Sequence, residues 1–101
     1  MRIEFYPASK LKKEISDIVG KYLDLSEYKI FFFGSRVSGK GDERSDIDVG
    51  IEGSEEIPHE IMSKIKEDIE NLRILYKIEV VDFQNISSDF HKVASVHREY
   101  L

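Results

Sequence analysis

Two aspartates separated by one residue, Asp46 and Asp48, stand at the head of an apolar stretch that reads D-I-D-V-G-I. In a β-strand, residues i and i+2 share a face and lie about 6–7 Å apart along the backbone. Two carboxylates held side by side repel one another, which costs stability unless a cation is shared between them. A hard divalent ion with oxygen ligands, Mg2+ first of all, suits that donor set. Upstream, Gly34-Ser35 ends the hydrophobic run Lys29-Ile30-Phe31-Phe32-Phe33. Backbone N–H groups at such a turn offer a cradle for phosphate oxygens. A phosphate cradle followed by metal-binding carboxylates points to nucleotide chemistry.

More acid lies downstream, in Tyr76 to Phe83, which reads Y-K-I-E-V-V-D-F and is expected to be a strand. Alternation puts Glu79, Val81 and Phe83 on one face and Ile78, Val80 and Asp82 on the other. An acid in the middle of so apolar a strand requires a reason.

The elements that must position these residues follow from periodicity. Arg2 to Tyr6 alternates around Ile3 and Phe5 and reads as a short edge strand or an arm that Pro7 breaks. Ser9 is the expected N-cap of a helix over Lys10 to Leu23, with Leu11, Ile15, Val19 and Tyr22 at helical spacing. Strands are expected over Lys29–Phe33 and Asp46–Glu52, joined by a polar connection in which Gly39 and Gly41 cut short any helical turn. Pro58 suits the first turn of a second helix with Ile61, Ile65, Ile69 and Leu72 as its stripe. After the third strand, Gln84 to Ser87 is a turn. Ser87 or Ser88 caps a last helix in which Phe90, Val93, His97 and Leu101 share a face. The expected order is α-β-β-α-β-α, a small α/β (α+β) sandwich with helices packed on a mixed sheet.

At 101 residues the chain has room for one modest core, so 1–101 is expected to form one domain. It has no apolar run of about 18 residues, so no membrane span is expected. The start, Met1-Arg2-Ile3-Glu4-Phe5, lacks the apolar centre of a secretion signal, and a cytoplasmic location is expected by default. Without cysteine there is neither a disulfide framework nor a thiolate metal site. His59, His91 and His97 are too scattered for a histidine metal site. The net charge of −5 argues against non-specific nucleic-acid binding and favours a protein or small-molecule partner.

One motif competes. Gly34 to Gly41 reads GSRVSGKG, one position short of the phosphate loop G-x-x-x-x-G-K-[ST]. Gly41 stands where the magnesium-holding hydroxyl belongs and is a poor start to the long helix that motif requires. The chain is also too short for the several βα units of such a domain.

Taken in order, the features resemble the minimal nucleotidyltransferases of the DNA polymerase β superfamily. Their signature is an apolar strand, Gly-Ser, roughly ten residues, Asp-x-Asp on the next strand and a third acid on a later one. Phe33-Gly34-Ser35-Arg36, then Ser45-Asp46-Ile47-Asp48, then Ile78 to Phe83 supply the three parts, with ten residues between Ser35 and Asp46. The resemblance covers almost the whole chain and implies the nucleotidyltransferase fold. It implies that Asp46 and Asp48 hold two Mg2+ ions around the triphosphate of ATP or another nucleotide. Gly34 and Ser35 would cradle phosphates, Arg36 lies near them, and Ser45 either caps the turn or contacts phosphate. Lys40 is equally well a solvated loop charge. Members often read D-h-h-D at the third part, with the first acid catalytic. That acid is here Glu79, one methylene longer than Asp; Asp82, the other candidate, is expected on the opposite face, making a structural hydrogen bond.

The resemblance extends to partners. Larger superfamily members carry a second, helical domain, so a minimal version must borrow a surface from another copy, as a homodimer, or from a partner. Chains of this kind resemble the antitoxin half of two-gene modules paired with a helical HEPN toxin, in which AMP passes from ATP to a tyrosine of the toxin. Acidic charge is compatible with a basic, RNA-cutting partner. A second function of another class is a binding module with the same fold that neutralises its partner by complex formation with little catalysis. A third is transfer to a small molecule, which the missing second domain disfavours.

Overall fold

The computed structural model describes residues 6–34, 37, 46–85 and 98–101. Helix α1 spans Ala8–Gly20. Strand β1 is Tyr28–Phe33 and β2 is Ile47–Gly53. Helix α2 is His59–Glu70, β3 is Ile78–Asp82, a 3-10 turn covers Phe83–Asn85 and β4 is Glu99–Tyr100. The four strands form one mixed sheet in the order β3-β2-β1-β4. β1 pairs antiparallel with both β2 and β4, and β2 pairs parallel with β3. The parallel pair is possible because α2 provides the crossover.

Strand alternation divides the hydrophobic residues between two faces. Ile30 and Phe32 of β1, Ile47, Val49 and Ile51 of β2, and Val80 of β3 pack against Leu11, Ile15, Val19, Ile65 and Ile69 of the two helices. Phe31, Phe33 and Phe83 form a separate aromatic cluster with Val81 beside it on the other face. Phe83 meets Phe31 and Phe33 edge-on, at ring centroid distances of 4.7 and 5.0 Å. β1 is buried on both faces, which is why it reads as an unbroken apolar run rather than an alternation.

Several expected boundaries shift for local reasons. Pro7, not Ser9, caps α1: its φ of −64° and ψ of 127° are extended, and no side chain caps the end. The first helical bond runs from the Leu11 N–H to the Pro7 carbonyl, so Ser9 falls inside the helix. α1 stops at Gly20 rather than Leu23, and the N–H groups of Lys21, Tyr22 and Leu23 close onto Ile18 and Val19. Tyr22, beyond the helix, still joins α1 to α2 by donating its hydroxyl to Asp68 at 2.6 Å. Pro58 likewise caps α2 from outside, and Leu72 lies past its end. Phe83 leaves the strand because the Asp82 carboxylate accepts the Gln84 N–H at 3.0 Å and turns the chain.

The chain's end is a correction. A helix was expected through Leu101, but Glu99 and Tyr100 pair with Phe32 and Phe31 as β4. Their side chains fasten to both faces. Lys12 of α1 lies 2.9 Å from Glu99, and Arg98 donates to Glu52 of β2 at 3.0 Å while stacking over Phe31 and Phe83. The body of that expected helix and residues 2–5 of the expected strand over Arg2 to Tyr6 lie outside the described residues; Tyr6 itself is not in a strand.

Gly50 sits opposite Phe31 in the β1–β2 register, and a Cβ there would drive into the rings of Phe31 and Phe83. Gly50→Ala is therefore expected to lower stability by about 1–3 kcal/mol, the usual cost of overpacking. Urea denaturation measured by circular dichroism checks this.

Candidate active site

The described candidates, Gly34, Asp46, Asp48 and Glu79, lie at one end of the sheet face that carries the aromatic cluster. Asp48 is the second residue of β2 and pairs across the sheet with Phe33 on one side and Glu79 on the other. Directly opposed residues point to the same face, so Asp48 and Glu79 stand together on the face away from the helices. Asp46 lies two residues before Asp48, just ahead of the strand, and is exposed. Asp48 is half-buried.

Burial pushes the Asp48 carboxyl above its ordinary 3.8, and the neighbouring charges of Asp46 and Glu79 push it further the same way. The three acids therefore repel one another across β2 and β3. Among the described residues, no group of three or more acid, histidine or cysteine side chains converges tightly enough to hold a metal ion as it stands. Glu79 instead leans on Lys77, whose Nζ lies 3.7 Å from Glu79 Oε2.

The turn after β1 completes this corner. Gly34 has φ +83°, a conformation that L side chains rarely adopt. A Cβ at Gly34 would also collide with the Asp48 carboxylate, with Cγ only 3.1 Å away. Glycine is thus required twice, for the backbone angle and for the close approach of the turn to the acid. The Val37 N–H donates to the Gly34 carbonyl at 3.2 Å. Ser35, Arg36, Lys40 and Ser45 lie outside the described residues.

Asp82 is elsewhere. One of its carboxylate oxygens accepts the Ile57 N–H at 2.8 Å and the other the Gln84 N–H. It fastens the loop before α2 to the end of β3, as expected of a structural acid. The hollow of about 290 Å³ between α2 and β3 is lined by Glu56, His59, Met62, Lys66 and Asp82, and contains none of the three clustered acids. Sequence reading passed over Lys77 and Arg98. Lys77 was detectable by strand alternation, standing two residues before Glu79. No sequence signal announced that Arg98 would cover Phe31.

The mixed sheet and the described helices packed on it are those of the nucleotidyltransferase fold. A family model described as "Polymerase beta, Nucleotidyltransferase" matches residues 13–99, and the chain belongs to that family. It is 28% identical over 67 residues to the protein named "Probable protein adenylyltransferase MntA" of Haemophilus influenzae. The match takes in 66% of this chain, and the chain covers 59% of that relative's length. Among solved structures, the fold is shared with one described as a toxin-antitoxin with AMP-PNP, at TM-score 0.70 and 15% identity over 88% of this chain and 70% of that one. It is also shared with a tri-AMPylated Shewanella oneidensis HEPN toxin in complex with MNT antitoxin, at TM-score 0.61 and 14% identity over 91% and 69% of the two chains. Among the described residues no helix is long and apolar enough to cross a membrane.

Two outcomes follow. A carboxyl whose pKa is raised on folding contributes stability below its unfolded pKa and loses it as pH rises through the folded value. Asp48→Asn removes that penalty and should raise the melting temperature of the metal-free chain at pH 7, with the gap closing as pH falls below about 4, near the unfolded carboxyl value. Thermal melts of both proteins across pH 3–8 read this out. Asp82→Ala should instead lose about 1–3 kcal/mol in urea denaturation, because it strands the Ile57 N–H.

Proposed function

We propose that this chain is a Mg2+-dependent nucleotidyltransferase that moves AMP from ATP to a hydroxyl, a tyrosine on a helical HEPN-type partner, and so acts as an antitoxin. The observation that carries this reading is the β1–β2–β3 register, which gathers Asp48 and Glu79 beside the Gly34 turn in a member of the nucleotidyltransferase family. The named relative and the structures sharing the fold point to adenylyl transfer and to a HEPN partner.

The residues fit a hard divalent ion. The donors are carboxylates, their mutual repulsion asks for a cation, and the Gly34 cradle keeps side-chain bulk off Asp48. In this reading Asp46, Asp48 and Glu79 hold it. When bound, Mg2+ supplies charge stabilisation to the attacking and leaving oxygens of an in-line displacement. The remaining work falls to the chain. Gly34 lets backbone approach the phosphates closely, the resemblance assigns Ser35 to the same anion, and Arg36 and Ser45 are further candidates to contact it. Glu79 would bind the metal that activates the acceptor hydroxyl, or help take its proton. Phe33, which pairs across the sheet with Asp48, is buried against Phe83. No protein nucleophile is required. The acceptor is held by a surface borrowed from the partner or from another copy.

The unconverged acids, with Glu79 resting on Lys77, favour one alternative: a weakly catalytic binding module that neutralises its partner by complex formation. Transfer from radiolabelled ATP to the HEPN partner separates the two. Asp48→Asn is expected to lower transfer by more than about 100-fold, beyond the loss typical of outer-shell changes around a metal. Asp82→Ala is expected to retain transfer. Full transfer by Asp48→Asn sinks the enzymatic reading, and partner inhibition that persists in that variant without transfer supports the binding module.

A further inference from the structure

Lys77 is placed by backbone, not by chance. Its carbonyl accepts the Ile47 N–H at 2.9 Å, the bond that opens the β2–β3 ladder. Ile47 pairs with Ile78 and Asp48 with Glu79. Carried one residue further, the register sets Lys77 alongside Asp46. Lys77 stands just ahead of β3, two residues before Glu79. The ammonium reaches Glu79 Oε2 at 3.7 Å. Among the described residues, Lys77 is thus a cation at the corner that holds the three carboxylates, and Glu79 is drawn towards it rather than into a converged cluster.

We propose that Lys77 is a positioning residue for Glu79: it serves as the counter-cation of the acid corner in the metal-free chain and competes with the divalent ion for that carboxylate. The proposal rests on the metal-binding reading given above. The physics is charge accounting. The three acids repel, so the metal-free chain gains from one positive charge among them. A divalent ion does the same task with twice the charge, and Lys77 then faces a like charge. Glu79 must exchange Lys77 for the ion, and the ion's apparent affinity is lowered by the strength of the pair it displaces. A triphosphate arriving with the ion gives the released ammonium a new anionic partner, which couples metal uptake to nucleotide uptake.

The test is Mn2+ binding to the nucleotide-free chain, read from the electron paramagnetic resonance signal of the free ion. Lys77 is an exposed side chain at 71%, so its replacement leaves the fold intact. Lys77→Met is expected to bind Mn2+ about two- to five-fold more tightly, the range an exposed ion pair supports. Lys77→Arg is expected to match the wild type. In a Glu79→Gln background the Lys77→Met gain is expected to vanish, which separates a contact with Glu79 from a general change of charge. Equal or weaker binding by Lys77→Met, or an undiminished gain in the Glu79→Gln background, overturns the proposal. Asp48→Asn tells the two readings apart. If it binds Mn2+ as the wild type does, or if the wild type binds none, the metal-site reading fails and this proposal with it. If Asp48→Asn abolishes binding while Lys77→Met changes nothing, only the role of Lys77 fails.

Discussion

Antiparallel pairing of β1 with β2 sets Phe33 opposite Asp48, and the chain leaves β1 through Gly34 at φ +83°. Nearly every other feature of the corner depends on that pair of facts. The pairing decides which way Asp48 points. The glycine lets the turn fold back until a single methyl group would strike the Asp48 carboxylate. A one-residue slip of register would send Asp48 to the helix face, among Leu11, Ile15 and Ile65, where an ionised acid is prohibitive. Hydrophobic burial of the helix face therefore enforces the placement of the acids on the opposite one.

The two faces of the sheet carry different tasks. One is an aliphatic core shared with α1 and α2. The other is a small aromatic floor whose far end holds Arg98 and Glu52 and whose near end holds the acids. Burial of Asp48 and its closeness to Asp46 and Glu79 raise the energy of the ionised, metal-free state. Such strain is typical of functional sites, where pKa values are displaced by like charges and desolvation. Glu79 has a counter-charge of its own in Lys77, 3.7 Å away. The strain resides in side chains on rigid strands, so the fold tolerates it without distortion.

Much of the fold was readable before the structure. Helical stripes at Leu11, Ile15 and Val19, and at Ile65 and Ile69, placed both helices because an amphipathic period of 3.6 is a strong signal. Strand alternation correctly separated Glu79 from Asp82, and Asp82 does make the structural hydrogen bonds expected of it. The failures are local. Ser9 has the right side chain for an N-cap, yet Pro7 already holds extended geometry one turn's entry earlier, and the helix begins there. Phe83 fits a strand by propensity, but the Asp82 carboxylate recruits the next N–H and turns the chain. β4 was unreadable because a two-residue strand has no period, and its existence depends on pairing with Phe31 and Phe32 some seventy residues away.

What the sequence determined by itself was the inventory and the local periods: which residues are acidic, which alternate, where glycine relieves the backbone, and which family the order of these features resembles. These are properties of nearest neighbours along the chain, governed by sterics and by burial of one face. Tertiary structure alone decided the pairings. It set Glu79 beside Asp48, brought Lys77 to Glu79, tied Arg98 to Glu52 and carried Glu99 to Lys12. Such contacts depend on strand register and sheet order, which are set by the collective packing of the core. No single stretch of residues encodes them.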